Sequence, residues 1–453
     1  MPTQLWNFLI LIGIVVIVFA IFKRPLYEAM LLSFVCLLAS TGMWNEAPHY
    51  LLSSAQNSLL FTIVMFLVFS SILKETGVIQ DCIDIIMALV GRIPGGAGVV
   101  AIVSSAFMGA MSGSGPGNVA ATGSVTIPLM KKAGYPAEFA AGIAMSGSCL
   151  GPVIPPSATI IAAFSCLSVV DGLESFQFSS FWMVMYSVSL VFILHRLIQF
   201  YIMYAALGIK RADASELPGL KESWRRGWPS FLLVVVIMLP FALDNFFGDW
   251  FASVIGDTAA DYLSDSVLVF TPAIASAYSL LVSHKRRRRS LGELAKAVSS
   301  DMKSIVSMCM VLFFAYAISE LLTDCGTITA AEEFLDSLNL SFGGMTFVLL
   351  VVMTILGMFM SGTSLIPLLG PVYVSILSGY GADPIVIAAI IPVLFVSLGQ
   401  MTPPFALAMM AAMGIAQSDF RKTSVHAIIW SVVQFILVYL IIIGVIPISI
   451  PQW

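Results

Sequence analysis

Two short stretches of small polar residues recur along the chain in the same setting. Ser112-Gly113-Ser114-Gly115-Pro116-Gly117-Asn118 ends one apolar run, and Ser361-Gly362-Thr363-Ser364 ends another. Each is followed further on by a proline-broken stretch: Gly151-Pro152-Val153-Ile154-Pro155-Pro156 in the first case, Gly399-Gln400-Met401-Thr402-Pro403-Pro404 in the second. Proline removes a backbone donor and breaks a helix. Carbonyls bared at such breaks, with Ser, Thr or Asn oxygens, suit a hard cation such as Na+. Helix N-termini restarting after a tip favour anions. No charged residue lies between 93 and 130 or between 337 and 382, so ligand charge there must be met by dipoles. The plainer reading of any single Ser or Gly is close helix packing. Two tips with prolines in matching places favour a binding site instead.

Other chemistries find no support. G-x-S-G and G-x-S-x-G are absent near the tips, and His49, His195, His284 and His426 are dispersed. Solvated or interfacial positions are expected for them, with His195 beside Arg196 near a cytoplasmic end. A P-loop needs Gly-Lys before Ser or Thr, and Gly-Lys does not occur. The six cysteines form no C-x-x-C pair, so neither a disulfide framework nor a metal site is expected. No enzyme and no ATP-driven pump is implied. Energy would come from an ion gradient or another subunit.

The elements that must position these tips are membrane helices. Of 453 residues, 59% are hydrophobic and 10% charged, and mean hydropathy is +0.99. A soluble domain is roughly half apolar and about a quarter charged. This excludes a soluble enzyme and a nucleic-acid binder. The apolar runs are long and continuous, unlike barrel strands. Ten crossings are expected, at 5–22, 26–43, 57–74, 137–170, 180–207, 229–243, 266–283, 303–322, 384–416 and 424–446, in contact with lipid throughout. The run Leu5–Phe22 precedes Lys23 and Arg24 rather than following them, so it reads as a retained span with its N-terminus outside. Basic stretches at 209–228 (Lys210, Arg211, Lys221, Arg225, Arg226) and 284–289 read as cytoplasmic loops, and the acidic stretch 244–265 as an outside loop. The run Lys285–Arg289 serves as a topology anchor in this scheme. Segments 79–92 and 328–340 are too short to span and read as interfacial arms.

The chain repeats itself. MSG occurs at 111–113 and 360–362, and Pro155-Pro156 returns as Pro403-Pro404. Gly77 pairs with Gly326, and Gly95-Gly96 with Gly343-Gly344. The two units run from 57 to 178 and from 305 to 425. Lys131 and Lys132 follow the first tip, whereas 379–383 has no basic residue. The first unit ends acidic (171–178) and the second ends in SDFRK (418–422). Opposite flanking charge implies opposite orientation, the plan of many secondary transporters. The expected fold is therefore an all-α polytopic membrane protein with inverted-topology repeats, two re-entrant hairpins and two broken helices. Both termini lie outside. Scaffold helices occupy 1–56, 179–304 and 426–453 around repeat units 57–178 and 305–425.

The stretch 91–157 (GRIPGGAGVVAIVSSAFMGAMSGSGPGNVAATGSVTIPLMKKAGYPAEFAAGIAMSGSCLGPVIPPS), GYGADP at 379–384 and LGQMTPPFALAMMAAMGIA at 398–416 resemble the large membrane subunit of tripartite ATP-independent periplasmic (TRAP) transporters. The resemblance covers nearly the whole chain. It implies a sodium-coupled importer of an elevator type in a prokaryotic inner membrane, without cofactor. It also implies a small membrane subunit of about four helices and an extracytoplasmic solute-binding protein as partners. The substrate class implied is an organic anion: a C4-dicarboxylate, sialic acid or a similar acid. No four-helix segment precedes Leu5, so the small subunit is expected as a separate chain. The alternative is a stand-alone sodium/carboxylate symporter of the same fold, needing no binding protein.

Carried over by motif, the resemblance implies one Na+ site at Ser112, Gly113 and Asn118 with Gly151 and Pro155. It implies a second at Gly362 and Thr363 with Gly399 and Thr402. Substrate would lie between the tips, at Ser114, Asn118, Ser361, Thr363 and Ser364. The second tip departs from the family pattern, since Ser361-Gly362-Thr363 stands where many members have an acidic residue followed by proline.

Overall fold

The computed structural model describes residues 3–170, 172–173, 176–209, 219–284, 290–359, 362–403 and 406–448. Ser361, Pro404 and the basic residues Lys210, Arg211 and Lys285–Arg289 lie outside them. Every regular element among the described residues is helical. The chain opens with α1 (Trp6–Val15), α2 (Leu26–Thr41), α3 (Ala47–Gln56), α4 (Ser58–Thr76) and α5 (Val78–Val90). Then come α6 (Gly96–Ser112), α7 (Gly115–Asn118), α8 (Ser124–Lys132), α9 (Ala137–Leu150) and α10 (Ala158–Ser165). Three long helices follow, α11 (Phe178–Ala206), α12 (Leu220–Ile255) and α13 (Asp257–His284), and then α14 (Leu291–Asp324). The last part holds α15 (Thr327–Ser337), α16 (Phe342–Phe359), α17 (Gly362–Gly379), α18 (Pro384–Ile391), α19 (Gly399–Met401), α20 (Leu407–Ala416) and α21 (Phe420–Ile442).

Seven of the helical segments are long and apolar enough to cross a bilayer. The pair Ala137–Val153 and Ala158–Ser165, bent by 50°, makes an eighth. Trp6–Val18 and Leu26–Thr41 are apolar but shorter. The outer surface is apolar: Leu190, Leu194, Ile198, Leu239 and Phe246 are all exposed. In water such a surface would be costly, and in lipid it is not.

Local chemistry sets the ends of these helices. Asn57 Oδ1 accepts from the backbone N–H groups of Leu59 and Leu60 and starts α4. Asp383 does the same for α18 and Asp419 for α21. Such caps satisfy donors that have no partner inside the helix. Gly77 closes α4 with φ +75 and Gly326 closes α14 with φ +69. This left-handed conformation costs glycine nothing. These two glycines anchor the repeat, and they make the same turn in both units.

The order of parts is the same twice. A long helix, a short arm, a helical hairpin and a proline-broken helix appear as α4 to α10, and again from the end of α14 to α20. The short arms α5 and α15 cover the segments expected at 79–92 and 328–340. The first halves of the broken helices form the interior of the molecule. Phe139–Leu150 is wholly buried, as are Pro392–Leu398 and Gly399–Met401.

The acidic stretch 244–265 is not a loop. It is helical except at Gly256, where φ is +86. The stretch holds no proline, and acidic residues alone do not end a helix. Asp244 is buried and accepts the Ser264 hydroxyl at 2.7 Å, which ties α12 to α13. At ~1.5 Å per residue, α12 is far longer than the ~30 Å apolar core of a bilayer.

Candidate functional site

The first tip is tighter than the sequence implies. Only Gly113 and Ser114 interrupt the helix, and it restarts at Gly115. Gly113 turns with φ +62, and its N–H donates to Gly109 O at 2.9 Å. Ser114 is extended, and its hydroxyl accepts from Gly117 N–H at 3.2 Å. It thereby caps the returning arm α7–α8 of the hairpin.

Asn118, four residues into that arm, is completely buried. Its Nδ2 donates to Ser105 O at 2.6 Å and to Ser148 O at 3.4 Å. Two carbonyl acceptors fix which way the amide faces. Its Oδ1 has no hydrogen-bond partner among the described residues. A buried amide oxygen without a donor pays its full desolvation cost, and it is the kind of oxygen a hard cation takes.

The first break packs directly on the hairpin. A Cβ built on Gly151 would lie 2.1 Å from Gly109 Cα, so α6 and the end of α9 cross backbone against backbone. After the turn at Gly151–Val153 the chain is irregular until Ser157, whose hydroxyl lies 2.7 Å from that of Thr159. Thr159 Oγ1 donates to Pro152 O, and Ser189 Oγ to Val153 O at 3.0 Å. Two carbonyls bared by the prolines are therefore already engaged by side chains. A Cβ on Gly113 would sit 3.6 Å from Ser157 Oγ, so tip and break touch. Pro155 instead lines a small apolar cavity with Phe107, Ala110, Tyr186 and Leu233, away from those polar atoms.

The second unit repeats the crossing. A Cβ on Gly399 would lie 2.6 Å from Gly357 Cα. Gly362, at the start of α17, lies against Val396, whose Cα is 2.6 Å from a Cβ built there. Thr402 Oγ1 donates to Leu398 O at 2.7 Å and pairs with Ser431 Oγ at 3.2 Å, so this hydroxyl is committed within the break. Ser361 lies outside the described residues, as do the side chains of Ser112, Thr363 and Ser364.

The two units also interlock. A Cβ on Gly115 would come 2.3 Å from Gln400 Oε1 and 3.2 Å from Cys149 Sγ. Gln400 Oε1 is buried without a partner among the described residues, as is Ser148 Oγ. The second break thus delivers an amide oxygen to the first tip. Reciprocally, a Cβ on Gly370 in α17 would meet Cys166 Sγ, just past α10, at 2.4 Å. A cavity of about 230 Å3 opens beside the first tip, with Gly113, Ser114, Gly117 and Asn118 on one wall and Ser71, Lys74 and Asp301 on the other. Asp301 accepts from Lys74 Nζ at 2.9 Å and from Ser71 Oγ at 2.8 Å. The Lys74 ammonium holds the Asp301 carboxyl below the usual carboxylate range.

Gly113, Ser114, Asn118 and Gly151, singled out in the sequence, lie close together in the structure. Sequence reasoning did not single out Ser105, Ser148 or Gln400. Gln400 carried a signal, being the one amide in a break otherwise made of Gly, Met, Thr and Pro. It also misjudged His195, whose two ring nitrogens are shielded from solvent rather than solvated. Among the described residues no cluster of three or more His, Cys, Asp or Glu could hold a metal ion.

The chain is similar in sequence to named permease proteins and in fold to a solved structure. The C4-dicarboxylate TRAP transporter large permease protein DctM of Pseudomonas aeruginosa is 27% identical over 425 residues, covering 92% of each chain. The 2,3-diketo-L-gulonate TRAP transporter large permease protein YiaN of Escherichia coli is 25% identical, covering 87% of each chain. The fold is shared with the Neisseria gonorrhoeae antimetabolite efflux pump MtrF, with a TM-score of 0.63 at 14% identity, over 90% of this chain and 86% of that one. The family model described as the tripartite ATP-independent periplasmic transporter, DctM component, matches residues 12–453, so the chain belongs to that family and is a transporter permease subunit rather than an enzyme.

Proposed function

We propose that the chain is the large permease subunit of a sodium-coupled importer that takes an organic anion from an extracytoplasmic binding protein. The observation that carries sodium is the buried, unpartnered Oδ1 of Asn118. Gln400 Oε1 and Ser148 Oγ, close by in space, are also unpartnered among the described residues. Oxygen ligands without acidic charge match a monovalent hard cation better than a transition metal. The anion would sit between the two tips, where helices restart and their N-termini favour negative charge. The relatives named for C4-dicarboxylate and 2,3-diketo-L-gulonate transport support a small organic acid as substrate. A separate small subunit and a binding protein complete the assembly, in the plasma membrane of a prokaryote with both termini outside.

In this reading the hairpins and broken helices move as one body against the remaining helices. The glycine crossings favour that, because helices in backbone contact slide poorly against each other. The packing of α11 on α9 and α18, and of α21 on α9, α16 and α20, favours counting those two helices with the moving body.

The test is uptake into proteoliposomes containing both membrane subunits, with labelled succinate and a panel of other organic acids. Uptake driven by a Na+ gradient, absent with K+ or choline, and dependent on the added binding protein is the expected result. Uptake without binding protein would favour the stand-alone symporter. Equal uptake in K+ would remove the sodium reading.

A further inference from the structure

Arg196, on α11, is completely buried and lies within a membrane-crossing helix. Its Nη2 donates to Gln434 Oε1 and approaches Ser397 Oγ and Met401 Sδ, both at 3.4 Å. The guanidinium carbon lies 5.3 Å from the centre of the Trp430 ring. Nε and Nη1 are buried with no partner among the described residues. The other buried charges among the described residues, Asp81 and Asp244, are satisfied by Arg226 with Ser230 and by Ser264. No carboxylate among the described residues pairs with Arg196.

A buried cation without a counter-ion is costly, and an apolar side chain of similar volume is commonly as stable or more so. Charges inside membrane segments face interior pathways and mark function. The placement of this one is specific. Met401, which it touches, follows Gln400, and Gln400 Oε1 reaches Gly115 at the first tip. Cys149, within electrostatic reach of Arg196, also borders Gly115. One layer of side chains therefore separates the guanidinium from the junction of first tip and second break. A fixed positive charge there opposes a cation at the tip and favours an anion.

We propose that Arg196 is a positioning residue whose fixed charge weakens cation binding at the first tip, so that the site fills at lower Na+ once the organic anion offsets it. This rests on the sodium-coupled reading above. It assigns the dependence of cation on anion to one residue outside both tips. Its contacts to Gln434, Ser397 and Met401 hold the charge at that place across three helical segments.

The experiment is a Na+ titration of the full chain with its small subunit in nanodiscs, without substrate. Sodium chloride replaces choline chloride at constant ionic strength, and thermal unfolding reads occupancy. The wild-type arm alone tests the sodium reading: no Na+ response there ends both that reading and this proposal. If wild type responds, the variants decide the role of Arg196. At an effective dielectric of about 20, unit charges about 10 Å apart alter an affinity on the order of ten-fold. Arg196→Gln should therefore lower the half-saturating Na+ concentration on the order of ten-fold, while Arg196→Lys stays near wild type. A purely structural role predicts the opposite sign, weaker Na+ binding as the second break loosens. Unchanged or weaker Na+ binding in Arg196→Gln overturns the proposal. Should that variant fail to fold, the double variant Arg196→Met with Gln434→Leu replaces the polar pair by apolar packing and reads the same affinity, with the same outcomes deciding.

Discussion

Gly109 and Gly151 meet backbone to backbone, so closely that a Cβ on Gly151 would stand 2.1 Å from Gly109 Cα. Gly357 and Gly399 stand in the same relation, with 2.6 Å in the corresponding position. Each pair joins the first helix of a hairpin to the broken helix of its own unit. The contact therefore fixes each tip over its break, and it does so once per repeat.

Gly151→Ala should destabilise the fold by about 1–3 kcal/mol, the usual range for overpacking, because the obstruction is backbone and cannot rotate away. Gly414 in α20 has nothing within 4 Å of its added Cβ, so Gly414→Ala should be neutral or slightly stabilising. Thermal unfolding in detergent reads both. Equal melting temperatures for the two variants would mean the crossing is slack.

How much of this was legible in the sequence depends on the kind of signal. Proline and glycine at constant offset gave the repeat, because backbone constraints act locally and survive in any packing. Gly77 and Gly326 were readable as a repeated pair for the same reason, and the structure adds that both make left-handed turns. The partners of Asn118 were not, since Ser105 O and Ser148 O are carbonyls that any residue supplies. Gln400 reaches Gly115 across 285 positions of chain separation, counted from 115 to 400, and no local pattern encodes such a contact. The acidic stretch 244–265 was misjudged because charge sets topology, not helix ends. Arg196 could have been found, since it is a charge inside an apolar run. Proximity to a basic stretch suggested a solvated end instead.

The amide of Asn118 offers a sharp test of the cation site. Asn118→Leu removes Oδ1 and leaves Ser105 O and Ser148 O without their donor, so sodium activation of uptake should fall at least ten-fold. Thr402→Val removes a hydroxyl already engaged by Leu398 O and Ser431. Its expected cost is about 1 kcal/mol of stability, with sodium activation nearly intact. If Asn118→Leu keeps wild-type sodium dependence in proteoliposomes, its free oxygen has no part in coupling.

The ion pair at the cavity mouth should behave as a weak clamp. Asp301 is held below its ordinary value by Lys74. A depressed carboxyl contributes stability above its unfolded value of about 3.8, and loses it as pH falls through the lower folded value. The difference in melting temperature between wild type and Asp301→Asn should therefore be constant from pH 5 to pH 8. It should also be small, because Lys74 is half exposed and exposed pairs contribute about 0–1 kcal/mol. A difference that grows steeply between pH 5 and 8 would point to another titrating group.

The contact between Gly115 and Gln400 is the place where the two units share one site, and a double-mutant cycle can measure that sharing. Gly115→Ala alone drives a methyl towards Gln400 Oε1, which a Cβ would approach to 2.3 Å. The amide must then move, and uptake should drop strongly while the fold survives, since the obstruction is a flexible side-chain end. Gln400→Ala alone removes the oxygen without a clash and should weaken sodium activation. If the contact is only packing, combining Gly115→Ala with Gln400→Ala relieves the clash and restores uptake. If the oxygen is a ligand, the double variant recovers stability but no better uptake than Gln400→Ala. Non-additivity in melting temperature of about 0.5–3 kcal/mol is expected for residues in contact. The same cycle measured on sodium half-saturation separates the two roles. Additive effects on both readouts would mean that the second break does not reach the first tip in the working transporter.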